Sequence, residues 1–463
     1  MINRLSVIKN KKYLILVILV TGSFMAILNQ TTMLTLLPPV MKEFGIEAAK
    51  AQWLTTVFML LNGVMIPTTA YLIKRFTTRQ LFLTSMLVFL AGNILVAISP
   101  NFQLLMTGRI IQALAGGVLM PVMQAAVFLT FPVEKRGTAL GIAGFVVAFA
   151  PALGPTFAGW INDVYSWRYV FYSILPIVVT IIVLAYYKLE NIQEVSKTKL
   201  DVPSILFSSI GFGALLYGFS IAGSNGWGST KVIFSLLIGA VGLVILIHRQ
   251  FKLKEPFLEF RVFRNKRFTL MTILAMIGFP LIVGVETLIP LYVQDVRGLS
   301  ALKSGLLLLP GAFVMGLLSP FTGRIYDKFG IRYLGIAGFA LITAGSIPFI
   351  NLTHSTSLEF LTVMYLIRMA GAAMILMPAT TASLNQLSRE LIPHGNAVNT
   401  TMRQVAGSIG TALLVTVMSN VAAVSNSETS ADAKLQGINV AFFVAAALAL
   451  SGLVLSFFIK KRG

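Results

Sequence analysis

The sequence predicts an all-α integral membrane protein with fourteen transmembrane helices, and three observations carry that prediction. Of the 463 residues, 56% are hydrophobic and 11% charged, with mean hydropathy +0.85, whereas soluble domains are about a quarter charged. Apolar runs of about 20 residues, enough to cross a hydrocarbon core of roughly 30 Å, recur along the whole chain. Lys and Arg gather in alternate connections, the pattern of cytoplasmic loops.

In order, the runs cover approximately 13–38, 51–72, 80–98, 103–129, 138–160, 169–187, 203–222, 232–248, 268–293, 303–321, 333–350, 360–381, 396–419 and 438–459. Basic residues precede the first run, but it is long and no small-residue cleavage site follows it, so it reads as an uncleaved helix and not a signal peptide. With the N-terminus inside, the inner segments hold 26 of the 36 Lys and Arg. They are Arg4, Lys9, Lys11, Lys12, Lys74, Arg75, Arg79, Lys135, Arg136, Lys188, Lys197, Lys199, seven from Arg249 to Arg267, Arg324, Lys328, Arg332, Arg389 and Lys460 to Arg462. The outer side holds about seven, Arg168 among them. Both termini are therefore expected in the cytoplasm of a bacterial-type cell membrane.

The formal net charge of +20 is then topological and does not imply nucleic acid, because no soluble face is available to display a basic patch. Zero cysteines exclude disulfides and thiolate metal sites, and His248, His354 and His394 are the only imidazoles. No metal cluster or nucleophile constellation is visible, so a membrane enzyme is not expected. The longest inner loop, about 249–267, cannot fold as a domain, so function must lie in or between the helices.

An internal repeat divides the chain. AYLIKRFTTR (70–79) follows the second run and TGRIYDKFGIR (322–332) the tenth. One run later, Arg109 in MTGRIIQALAGG answers Arg368 in YLIRMAGAAMI, and RGTALG (136–141) answers HGNAVN (394–399). The expected organisation is a six-helix bundle in 1–188, an inserted pair of helices in 189–254 and a second six-helix bundle in 255–463.

Of sixteen carboxylates, Glu286 alone lies well within a run, in GFPLIVGVETLIPLYV. An embedded acid is rare and expensive. Either it titrates as a cavity opens and closes, which is what a proton carrier must do, or it snorkels to the headgroups. Arg109 and Arg368 each cost about 2.5–3.5 kcal/mol on insertion scales, which a lock onto carbonyls of neighbouring helices would offset. Arg403, in TTMRQVAG, reads as structural or gating. In AILNQTTMLTLLPPV (26–40), Asn29, Gln30, Thr31 and Thr32 place four uncharged polar groups inside the first run. They cannot share one helix face, so some must bond to neighbouring helices or backbone.

These motifs resemble the major facilitator superfamily, and more narrowly its fourteen-helix drug:proton antiporters of the EmrB/QacA type. The loop signature stands as Gly323, Asp327, Gly330 and Arg332, with Arg324 and Lys328 between them, and implies a cytoplasmic gate. The fifth-helix antiporter signature stands as Gly141, Gly154, Pro155 and Gly159, with Ala150 and Ala158 where glycines are usual. WRYVF (167–171), LDVPSILF, EPFLEFRVFRNKRF (255–268) and TTMRQVAGSIGTALL (400–414) also match. Two departures stand out: Lys74 replaces the aspartate of the first-half loop, with Ala70 and Thr77 for glycines, and Asn29 occupies a position where relatives often carry an acid.

The resemblance implies the major facilitator fold and proton-coupled efflux of lipophilic compounds by alternating access. Glu286 and Arg109 are then expected in proton coupling, and Asn29, Gln30, Thr32, Glu286 and Arg368 along a substrate cavity between the bundles. One embedded acid against two or three arginines favours neutral or monocationic substrates over dications. No cofactor is expected, the proton gradient being the driving force, and the partners are small lipophilic molecules, protons and membrane lipids, with a monomer as the working unit. Export of an endogenous lipid, metabolite or peptide, with incidental drug resistance, is the alternative. A channel fits the signature and the single embedded carboxylate less well.

Overall fold

The computed structural model describes residues 2–192, 201–425 and 429–459, and the described residues contain no strand. The helices are α1 (Ile2–Phe44), α2 (Ala48–Arg75), α3 (Thr78–Ala97), α4 (Phe102–Thr130), α5 (Arg136–Val164), α6 (Trp167–Lys188) and α7 (Val202–Asn225). They continue as α8 (Thr230–Lys252), α9 (Lys266–Leu291), α10 (Ala301–Phe329), α11 (Ile331–Ser346), α12 (Leu358–Leu384), α13 (Ile392–Val424) and α14 (Ser430–Phe457). All fourteen are long and apolar enough to cross a membrane, α11 with the 3-10 turn at Ile347–Asn351 that extends it. Lys197, Lys199 and Lys460 to Arg462, counted above among the inner basic residues, lie outside the described residues.

Local chemistry sets several boundaries. Thr77 and Gln80 form a reciprocal capping box at the start of α3, and the Asn101 side chain accepts from the Leu104 N–H at 2.9 Å to start α4. Gly330 separates α10 from α11 at φ +77°, a conformation that favours glycine, and its N–H returns to the Tyr326 carbonyl at 2.8 Å. The first helix runs beyond its expected end at 38, through Pro38 and Pro39 to Phe44. Its far end is held from α6, where the Trp167 indole (2.6 Å) and the Arg168 guanidinium (2.7 Å) both reach the Glu43 carboxylate.

The two bundles repeat one packing scheme. In the first, α3 packs on α4, α2 on α4, α1 on α5 and α3 on α6; in the second, α11 packs on α12, α10 on α12, α9 on α13 and α11 on α14. The inserted α7 packs on α2 and on α13, and so touches both bundles. Gly63 of α2 leaves room for Leu216, Trp53 stacks on Tyr217 at 5.8 Å, and the Trp227 indole donates to Thr416 at 2.7 Å. α8 lies outside α7, with Phe234, Leu237, Val241 and Val244 exposed as a lipid-facing surface requires.

Candidate functional site

In the first bundle, Arg109 of α4 is the centre of a closed polar cluster. Its Nη1 donates to the Asn29 Oδ1 (2.7 Å) and the Gln112 Oε1 (2.9 Å), its Nε donates to the Leu54 carbonyl (3.2 Å), and its guanidinium lies 4.4 Å from the Phe58 ring centroid. Asn29 in turn donates to Asn93 Oδ1 at 2.8 Å, and Asn93 to the Phe89 carbonyl at 2.7 Å. Four helices are thereby tied to one cation through uncharged groups, while Arg109 Nη2 and Gln112 Nε2 have no partner among the described residues.

Three of the residues expected along the cavity are enclosed in this conformation. Asn29 and Thr32 are 0% exposed and Arg368 1%, so none of the three presents a surface to a cavity in this conformation. The physical reason is competition: a buried guanidinium needs acceptors, and α1 turns its amide inward to supply one. Thr32, one turn from Asn29 on the same face, donates to the Asn29 carbonyl at 2.9 Å, and Thr31, which cannot share that face, donates to the Leu28 carbonyl at 3.0 Å. Gln30 and Glu286 keep partial exposure.

The second bundle builds its cluster differently. Glu286 sits on α9 between Pro280 and Pro290, and its Oε1 accepts from the Tyr365 hydroxyl of α12 at 3.4 Å. Gly311 of α10 makes space for that tyrosine: a Cβ there would lie 2.4 Å from its ring. One turn along α12, Arg368 donates to the Leu281 carbonyl of α9 at 2.9 Å and to the Ser346 hydroxyl of α11. Arg403 of α13 is buried with its guanidinium 5.9 Å from the Phe279 ring centroid. The two repeat-related arginines therefore do hold carbonyls of adjacent helices, and Tyr365, which the sequence reading missed, links the embedded acid to Arg368's helix. Its only signal was a tyrosine one turn before an arginine in an apolar run.

The loop signature meets the other bundle. The Asp327 carboxylate accepts from the backbone N–H of Gly137 (2.8 Å) and of Thr138 (2.7 Å) and from the Thr138 hydroxyl (2.6 Å), at the N-terminus of α5. There it satisfies orphan donors and meets the positive end of the helix dipole. Gly323 and Gly137 permit the approach: a Cβ on Gly323 would fall 2.2 Å from the Gly137 carbonyl oxygen. Arg324 and Lys328, grouped with Asp327 as the gate, are instead exposed, with their cationic ends over Phe321 (5.8 Å) and Phe329 (5.2 Å). Their positions on α10 turn them outward while Asp327 faces α5. Arg332 is partly buried at the start of α11.

The antiporter signature divides by position along α5. Gly141 packs on α10, where a Cβ would meet the Ser319 carbonyl oxygen at 2.4 Å, and Gly154 packs on α1, where it would meet Thr31 Oγ1 at 2.1 Å. Pro155 and Gly159 are partly exposed, and Gly159 has ordinary clearance from Thr35. The bundles are also joined at the same end by Arg136 to Asn385 (2.8 Å), Asn396 to the Pro121 carbonyl (3.0 Å) and Thr400 to Gln124 (3.4 Å). A cavity of about 1080 Å3 opens beside these contacts where α2 ends and α13 begins, lined by Lys74, Glu255, Glu259, Arg389, Glu390 and His394, among others.

With the fold and these contacts in place, comparison decides the family: the sequence model of the Major Facilitator Superfamily matches residues 19–411. The chain is a major facilitator superfamily transporter. It is 52% identical over 444 residues to the uncharacterized MFS-type transporter YcnB of Bacillus subtilis, covering 96% of this chain and 94% of the relative. It is 39% identical over 457 residues to the lincomycin resistance protein LmrB of the same organism, covering 96% and 95%. The multidrug export protein EmrB of Haemophilus influenzae is 26% identical, covering 88% and 80%. Among solved structures, the transporter resembles the human organic anion transporter MFSD10, with TM-score 0.70 at 13% identity over 96% of this chain and 99% of that one. It also resembles the proton:xylose symporter XylE, with TM-score 0.66 at 13% identity over 98% and 97%. Both likenesses concern the fold. The transporter is a multi-pass membrane protein and not an enzyme.

Proposed function

We propose that this transporter is a proton-coupled efflux antiporter for lipophilic neutral or monocationic compounds. It works by alternating access as a monomer, without a cofactor, and both its termini face the cytoplasm. The reading rests chiefly on Glu286, a carboxyl well inside a membrane-spanning helix, partly exposed and hydrogen-bonded to Tyr365. Such a group takes up and releases a proton as its surroundings alternate between wet and dry. Moving one charge across 100 mV supplies about 2.3 kcal/mol, a gradient of roughly fiftyfold. The contacts of Asp327 with α5 close the two bundles at the end of the basic loops, the geometry expected when the cytoplasmic side is shut.

The names of the relatives supply the first compounds to try, since LmrB is named for resistance to lincomycin and EmrB for multidrug export. Proteoliposomes loaded with acid should release protons when a lincosamide or another lipophilic monocation is added, and Glu286→Gln should abolish that release. Undiminished release by the variant would overturn the assignment of Glu286. Saturable, tight transport of a dication would overturn the substrate class.

A further inference from the structure

The inserted helices enclose a groove that the transport cycle above does not use. α7 and α8 pack closely at Gly211 and Gly242, where a Cβ on Gly242 would lie 3.0 Å from the Gly211 Cα. Between that crossing and their basic-loop ends lies a groove of about 420 Å3, whose lining includes Phe207 of α7 and Val244, Ile245, His248, Arg249 and Lys252 of α8. Phe207, Val244 and Ile245 lie nearer the crossing, and His248, Arg249 and Lys252 lie at the mouth beside Leu253. At 1.5 Å per residue, Val244 to Lys252 spans about 12 Å, which fits within one leaflet of a hydrocarbon core roughly 30 Å thick.

The charge at the mouth is positive and held in place. Arg249 is anchored by Asp201 at 2.8 Å, and Asp201 also receives the Ser204 N–H at the start of α7. Burial pushes the Asp201 carboxyl up, but hydrogen bonds from Arg249 and Ser204 outweigh it and hold it below the usual carboxylate range. The anchor therefore stays charged at neutral pH. Among the described residues, no carboxylate pairs with His248 or Lys252.

We propose that this groove binds an acidic phospholipid. One acyl chain would lie along Phe207, Val244 and Ile245, and the phosphate would sit against His248, Arg249 and Lys252. A zwitterionic headgroup would bring its own ammonium group to this cationic mouth, so a phosphatidylglycerol-type lipid is favoured over phosphatidylcholine.

The test uses the full chain purified in neutral detergent, with its thermal midpoint measured against added phosphatidylglycerol, phosphatidylcholine or inorganic phosphate. Phosphatidylglycerol alone should raise the midpoint. The double variant His248→Ala/Lys252→Ala should need about tenfold or more lipid for the same shift. Val244 is 67% exposed, so Val244→Trp should leave the lipid-free midpoint unchanged while filling the apolar part of the groove and weakening the response without removing a charge. Equal shifts with phosphatidylcholine would overturn the acidic preference, and a shift with inorganic phosphate would make this a free-anion site. An undiminished phosphatidylglycerol response in Val244→Trp would reduce it to attraction by surface charge, with no groove involved.

Discussion

The two bundles carry repeat-related arginines but spend them differently. Arg109 is sealed among amides and carbonyls from four helices, with no acid beside it among the described residues. Arg368 shares its neighbourhood with Tyr365 and, through it, with the partly exposed Glu286. One bundle therefore surrounds its arginine with uncharged groups, and the other adds the embedded carboxyl that we propose as the proton carrier. The repeated signatures differ too: Asp327 caps α5 across the bundle boundary, whereas Lys74 stands at the matching position in the last turn of α2, within electrostatic reach of Glu255, Glu259 and Glu390.

The sharpest test transfers the titratable group between bundles. Glu286→Gln should lower proton-coupled transport about a hundredfold or more, into the range expected when an essential proton carrier is lost. Adding Asn29→Asp to that variant should not restore it. The new carboxylate would sit where Asn29 Oδ1 now lies 2.7 Å from Arg109 Nη1, and a closed buried ion pair does not exchange protons with a cavity. Recovery of substrate-driven proton flux by the double variant would show that the first bundle's cluster opens during the cycle.

Asp327→Ala should have the next largest effect, because it removes three hydrogen bonds to α5 from an ionised acceptor. Charge-assisted bonds are worth about 1.5–3 kcal/mol each, and a few kcal/mol moves a two-state equilibrium by one to two decades. The chain has no cysteine, so single cysteines placed along α5 report accessibility directly. Labelling from the cytoplasmic side should rise by about tenfold or more, and unchanged labelling would mean that Asp327 is not a latch.

Arg109→Lys should destabilise the protein more than Arg368→Lys. A lysine is a point donor and cannot reproduce a fork that reaches Asn29, Gln112 and Leu54 together. Among the described residues, Arg368 bonds Ser346 and the Leu281 carbonyl. Each acceptor left unsatisfied costs about 1–3 kcal/mol, so the difference should appear as a lower thermal midpoint for the Arg109 variant. Equal midpoints would remove the distinction between the two clusters.

Much of this was legible in the sequence because membrane physics makes it so. Apolar length gave the fourteen helices, and the rhyme of AYLIKRFTTR with TGRIYDKFGIR pointed to paired bundles that pack alike. The spacing of Gly323, Asp327 and Gly330 singled out Asp327, yet did not show that its partner would be the backbone of Gly137 and Thr138, because backbone donors are the same whatever the residue and α5 starts without a side-chain cap. The partner of Asn29 was hidden for a related reason. Sequence shows that a residue is polar and embedded, but whether it faces a cavity depends on which buried donor claims it, and Arg109 lies 80 residues away. Periodicity could not reveal Tyr365 either, because its role comes from a contact between helices.

The smallest expected effect is at Tyr365, and it tests whether the proposed proton carrier is positioned or merely present. The hydroxyl lies 3.4 Å from Glu286 Oε1, a long hydrogen bond, and an ordinary one contributes about 0.5–1.5 kcal/mol. Tyr365→Phe keeps the ring that fills the space left by Gly311 and removes only the donor. Initial proton flux should therefore fall by about tenfold or less. In the Glu286→Gln background the same change should do nothing more, because a positioning residue has no effect once the group it positions is gone. A further loss in that background would show that Tyr365 acts independently of Glu286, through the packing of α12 against α10, and the two bundles would then differ in charge but not in how each holds its polar groups.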